Sequence, residues 1–166
     1  MSEQKREPLE SPSPKLMIRV VAAEVERAGD FLLTQRRPQA SFPLFWEFPS
    51  GRVEEGERDE EALKRELSER LGVGAEVGDC TMFVKQEYDE YILDFYVYRC
   101  VIPEGAEIKA LKVNDWRWVN PQEMESYPFP PADAHSIKRI LDEAAGPEPE
   151  SESEPEPEPE PEPSAD

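Results

Sequence analysis

Glu66 and Glu69 lie three residues apart within residues 51–73, GRVEEGERDEEALKRELSERLGV. On a helix that spacing puts both carboxylates on one face, where like charges repel unless a cation sits between them. Two hard oxygen donors suit a divalent ion, Mg²⁺ by default. A solvated acidic helix face is the other reading of the same spacing. The flanks favour the ion: Gly51 permits an irregular loop whose backbone approaches a ligand, and Glu57 and Arg65 can pair to fix that loop against the helix. Arg70 is the discordant residue, a base where the acid should peak.

The elements that must position these groups are legible from pattern. LMIRVVAAEV (16–25) is apolar and β-branched, as a buried strand is. Ala28-Gly29-Asp30 marks a turn into a second strand, FLLTQRR (31–37), and a proline-marked loop leads to FWEFPSG. Asp59 opens a helix to about Leu71, with Leu63, Leu67 and Leu71 as its apolar stripe and Gly72 as its C-cap. EVGDCTMFVKQEY (76–88) and YILDFYVYRCVI (91–102) form a hairpin turning near Asp89-Glu90. DWRWV (115–119) is a short strand, Pro121 opens a brief helix, and Asp133 N-caps a last helix to about Ala145. Strands, one central helix, more strands and a final helix make an α+β or compact α/β sandwich, not a regular doubly wound sheet.

The domain spans 15–145, between a polar, proline-bearing arm (1–14) and an acidic Glu-Pro tail (146–166), both expected to be disordered. The tail reads as a solubilising segment, or else as a docking segment for a basic partner. Its last 20 residues hold nine acids and no base; setting them aside from −19 leaves about −10 for the rest. An acidic domain excludes a duplex-nucleic-acid reader with a broad basic face, whereas a nucleotide remains accessible through divalent cations. No apolar run approaches the ~18 residues of a membrane span, and no leader opens the chain, so a cytoplasmic protein with reduced thiols is expected. Cys80 and Cys100 stand almost symmetrically about the hairpin turn; two buried thiols are expected rather than a bridge. A single histidine, His135, argues against His-based metal or nucleophile systems. Nothing in the sequence speaks to oligomeric state.

The acidic segment resembles the Nudix box. Gly51, Glu57, Arg65, Glu66, Leu67, Glu69, Gly72 and Val73 fall in register, and only the second glutamate of its Glu-Glu pair fails, at Arg70. WEFPSGRVEEGE, TQRR, WRWV and YPFPPAD extend the likeness to the MutT-like branch over about residues 16–142. The resemblance implies a Nudix α/β/α sandwich with a mixed sheet. It also implies hydrolysis of a nucleoside diphosphate linked to another group, typically a (deoxy)nucleoside triphosphate to monophosphate and pyrophosphate. It implies Mg²⁺, with Mn²⁺ as the substitute, held by Glu66, Glu69 and the Ser50 carbonyl; the ion would neutralise phosphate charge and help make hydroxide. Glu57 would pair with Arg65 and shape the loop, and glutamates of this box help activate water in parts of the family. Arg36 and Arg37 would hold phosphate oxygens. Phe129 would stack on the base, or serve as core, and Asp133, in place of an asparagine of the family, would read the base edge as well as cap the helix.

Three positions depart from that pattern. Ser50 replaces a glycine, a mild change if no positive φ is needed there. Arg70 replaces a metal-contacting glutamate, and Lys112 stands where another acidic ligand is common. At an effective dielectric of about 20, a like-charge contact at about 4 Å costs roughly 4 kcal/mol, so the site suits one metal better than several. Arg70 then either serves substrate phosphate, leans on Glu66 or solvent, or marks a Nudix-fold binding module that has lost turnover.

Overall fold

The computed structural model describes residues 14–145. The expected arm, Pro14 apart, and the expected acidic tail lie outside the described residues. The elements are β1 (Leu16–Arg27), β2 (Asp30–Gln35), β3 (Trp46–Glu47), β4 (Ser50–Arg52), α1 (Asp59–Leu71), β5 (Glu76–Glu87), β6 (Tyr91–Val101), β7 (Asp115–Val119), α2 (Pro121–Met124) and α3 (Pro131–Ala145).

β1 organises a mixed seven-stranded sheet. One edge of it runs parallel to β6 from Leu16↔Tyr91 to Val25↔Cys100. The other edge is shared: β4 pairs antiparallel at Val20–Ala22, and β2 takes over at Glu26 and Arg27. β2 carries β3 and β7, and β5 closes the far side against β6. A strand with neighbours on both edges and cover on both faces needs a continuous apolar run, which explains the buried stretch from Val21 to Glu24 and Val25.

Period-2 alternation sorts the two faces. Val21, Ala23, Val25 and Leu32 join Ala62, Leu63, Leu67 and Leu71 of α1 in one core cluster. Ala22, Phe31 and Leu33 join Phe95, Val97, Met124, Ile137 and Ile140 in a second cluster, under α2 and α3. Burial of each α1 leucine contributes roughly 1.5–3 kcal/mol. The result is the expected three-layer sandwich.

α1 begins and ends as its sequence directs. Glu61 accepts from the backbone N–H of Arg58, the N-cap (3.0 Å), and Gly72 takes the left-handed conformation (φ 67°) that closes the last turn. Asp59 is the first helical residue and accepts two bonds from Arg19, at 2.7 and 2.6 Å.

FWEFPSG, which no pattern assigns, contains β3 and β4, too short to show a period and separated by Phe48-Pro49. Two expectations need correction. Asp133 does not N-cap α3, because the helix starts two residues earlier at Pro131. A proline suits the first helical position, where its missing N–H costs nothing. The cysteines are not opposed across the hairpin. Irregularities in β5 around Cys80 place it opposite Tyr98 and put Val77 opposite Cys100. Cys100 is buried, but Cys80 is exposed, and both are free.

Candidate active site

The α1 carboxylates converge on Arg65. Its guanidinium makes two bonds to Glu57 (Nε–Oε2 2.8 Å, Nη2–Oε1 2.9 Å), one to Glu66 (2.8 Å) and one to the Arg52 carbonyl (2.9 Å). Glu69 and Glu54 stand 3.7 and 4.0 Å from it. The bidentate contact from Arg65 holds the Glu57 carboxyl down at about 2. Glu57 is therefore an ionised strut at neutral pH.

Glu66 is buried beneath β4. A Cβ on Gly51 would overlap its carboxyl, so only glycine lets β4 and Glu66 come this close. Gly51 is needed for that approach and not for its backbone angles, since its φ is not positive. Ser50 is likewise absent from the residues with positive φ, so a serine there introduces no strain.

Arg70 and Lys112 face these carboxylates. Arg70 Nε donates to Glu66 Oε2, and Lys112 Nζ lies 3.6 Å from Glu69 Oε2. Glu69 keeps a side chain 44% exposed, whereas that of Glu66 is 11% exposed. Among the described residues no three acidic, histidine or cysteine side chains form a ready metal cluster. The donor chemistry nevertheless fits one hard ion. Glu66 is cradled against the Gly51 backbone, Glu69 is accessible beside it, and Ser50 lies at the head of the same strand.

A cavity of about 460 Å³ runs from Ser50, Gly51, Arg52 and Arg70 to Glu47 and Asp133, beside Arg36, Arg37 and Lys112. At its far end Asp133 is 3% exposed, and among the described residues its Oδ1 has no hydrogen-bond partner. Burial, with the neighbouring charge of Glu47 adding to it, raises the Asp133 carboxyl well above the ordinary range. Burial also pushes Glu47 up, against the pull of Arg36. Arg36 donates to Glu47 at 2.8 Å, which favours the ionised form of that carboxylate and leaves Asp133 as the member of the pair more disposed to hold a proton.

Other expected residues are placed differently. Arg36 spends its donors on the Ser41 carbonyl (2.6 Å), the Ser41 hydroxyl (3.0 Å) and Glu47, so it braces the loop instead of standing ready for phosphate. Arg37 lines the cavity and gives one bond, 3.0 Å, to the Leu111 carbonyl. Phe129 packs against the core under α3 and not into the cavity. Sequence reasoning missed Glu47, Tyr88 and Tyr91. The tyrosines stack at 4.7 Å beside the hairpin turn and line the cavity. The signal for Glu47 was present: a glutamate embedded in FWEF is an acid among aromatics, a setting in which charge needs a partner.

The NUDIX domain family model matches residues 20–139. The CTP pyrophosphohydrolase of Escherichia coli (strain K12) is 38% identical over 125 residues, covering 75% of this chain and 92% of that protein. The 8-oxo-dGTP diphosphatase of Haemophilus influenzae is 34% identical over 131 residues, covering 78% and 95%. The solution structure of the E. coli ORF135 protein superposes with a TM-score of 0.68 at 35% identity, covering 80% of this chain and 95% of that one. Box residues around Arg65, a mixed sheet between helices and these likenesses agree: the chain belongs to the Nudix hydrolase family.

Proposed function

We propose that this chain is a divalent-metal-dependent pyrophosphohydrolase that converts a (deoxy)nucleoside triphosphate to its monophosphate and pyrophosphate. One observation carries the reading: a single cavity runs from the cations Arg37, Arg52, Arg70 and Lys112, the last two paired with the α1 carboxylates, to a buried end lined by Glu47, Asp133, Tyr88 and Tyr91. The names of the two relatives, a CTP pyrophosphohydrolase and an 8-oxo-dGTP diphosphatase, support the substrate class.

Glu66, Glu69 and the Ser50 carbonyl would hold Mg²⁺, or Mn²⁺ in its place; when bound, the ion supplies charge neutralisation and an acidified water. The chain's own residues do the positioning. Glu57 and Arg65 lock the loop before α1 to the helix. Arg37, Arg52, Arg70 and Lys112 surround the phosphate end with positive charge. Glu69, the less committed carboxylate, is the group suited to take a proton from the attacking water.

At the other end, a protonated Asp133 offers one donor and one acceptor, as an asparagine amide does, whereas an ionised carboxylate offers acceptors alone. Tyr88 and Tyr91 supply aromatic wall.

The test is a nucleotide panel of CTP, dCTP, dGTP and 8-oxo-dGTP, with and without Mg²⁺, assayed for pyrophosphate. Metal-dependent release from at least one is expected. No release from any member sinks the proposal.

A further inference from the structure

The four glutamates around Arg65 are balanced by three cations, Arg65, Arg70 and Lys112, which leaves a local charge of minus one. Acids at positions 70 and 112 would make it minus five. A divalent ion approaching Glu66 and Glu69 thus meets a nearly neutral cluster, and it competes with a guanidinium on one carboxylate and an ammonium on the other.

Neither cation is there by chance of a long side chain. The segment carrying Lys112 is laced to the end of α1. The Leu111 and Lys112 N–H groups both donate to the Arg70 carbonyl, at 2.9 and 3.2 Å, and the Lys109 N–H donates to the Leu71 carbonyl at 3.0 Å. These bonds satisfy carbonyls that a helix end otherwise leaves open, and they set Lys112 beside Glu69. Arg70 belongs to α1 itself, one turn beyond Glu66. Both side chains line the cavity as well as touching the carboxylates.

We propose that Arg70 and Lys112 weaken the protein's hold on a free divalent ion and strengthen its hold on a polyphosphate, so that ion and nucleotide are taken up together. This rests on the triphosphate reading above. Phosphate oxygens entering the cavity offer the two cations a denser negative charge than one carboxylate each, and their departure frees Glu66 and Glu69 for the ion. Arg70 has the larger effect, because its side chain is 33% exposed against 59% for Lys112 and is screened less.

Titration of Mn²⁺ alone into the full chain, followed by electron paramagnetic resonance, tests the first half. Even with the full screening of bulk water, removing a unit charge a few ångströms from a dication changes affinity by about tenfold, the lower bound of the effect. Arg70→Gln is expected to tighten Mn²⁺ by about tenfold or more, and Lys112→Gln, which removes the more exposed and salt-screened cation, by about twofold to threefold. Metal-free titration of inorganic tripolyphosphate tests the second half, with affinity falling in both variants. Arg70→Lys keeps the charge and should leave both affinities within about threefold of wild type. The opposite signs matter, since a merely damaged site loses both ligands together. Unchanged Mn²⁺ affinity in Arg70→Gln, or parallel loss of Mn²⁺ and tripolyphosphate, overturns the proposal. Failure of the nucleotide panel removes the hydrolase reading and leaves these titrations interpretable; intact turnover with unchanged Mn²⁺ affinity removes only the present proposal.

Discussion

The carboxyl of Glu66 occupies the space that a Cβ on Gly51 would need. A strand backbone and a helix carboxylate are thereby in direct contact, and any side chain at position 51 must push one of them away. Gly51→Ala should retain the fold at a cost of about 1–3 kcal/mol for overpacking, read as a lowered melting temperature. Turnover should fall by about 100-fold, because a displacement of about 1 Å at a reacting centre costs that much. Ser50→Gly is the control: with no positive φ to relieve, it should change turnover little.

Glu69 and Glu66 should separate in mutagenesis. Glu69→Gln removes a half-exposed carboxylate whose ion pairs are long, at 3.6 and 3.7 Å, so stability should hardly change. The rate should fall by about 10²–10⁴ in kcat, the range for a lost general base, with KM nearly constant. Glu66→Gln leaves Arg70 without its carboxylate partner and takes one of several from Arg65, so it should lower the melting temperature as well as the rate. Equal loss of stability in the two variants would contradict this division.

The thiols should differ sharply. Burial pushes the Cys100 thiol up to about 12, while Cys80 is exposed. A disulfide reagent at pH 8 should titrate one thiol quickly in the native chain and the second only on unfolding. Cys80→Ser should abolish the fast phase.

The sequence made the long elements legible because their patterns are redundant. Leu63, Leu67 and Leu71 repeat at helical spacing, Gly72 marks the stop, and the apolar run of β1 needs no partner to be recognised as buried. β3 and β4, at two and three residues, are too short to display a period and exist only through pairing with β2 and β1. Glu66 and Glu69 were readable because helical spacing puts them on one face, and the resemblance to the Nudix box supplied the rest. Glu47, Tyr88 and Tyr91 were not, because their meeting with Asp133 depends on the long-range packing of β3, the hairpin and α3. The contacts of Arg36 were illegible for the same reason: its partners, Ser41 and Glu47, lie in a loop and a strand whose path no local pattern gives.

The state of Asp133 yields the sharpest pH dependence. Its folded carboxyl is raised, so the folded chain binds a proton that the unfolded chain, with a carboxyl near 3.9, releases. Stability from this group is therefore fully present below about pH 4 and is lost as pH rises through the folded value. Glu57 has the opposite sign: its stabilisation is present above the unfolded value and vanishes as pH falls toward about 2. Asp133→Asn removes the first slope while keeping a donor and an acceptor at the base edge. Its melting temperature should exceed that of wild type increasingly as pH is raised, and the two curves should converge in acid. KM for the best substrate should also lose its pH dependence on the alkaline side in Asp133→Asn, whereas the pH profile of kcat should stay that of wild type. Asp133→Ala should raise KM by about 10–100-fold, the worth of one or two hydrogen bonds in a buried site. If wild type and Asp133→Asn share one KM profile across that range, Asp133 does not read the base as a neutral acid.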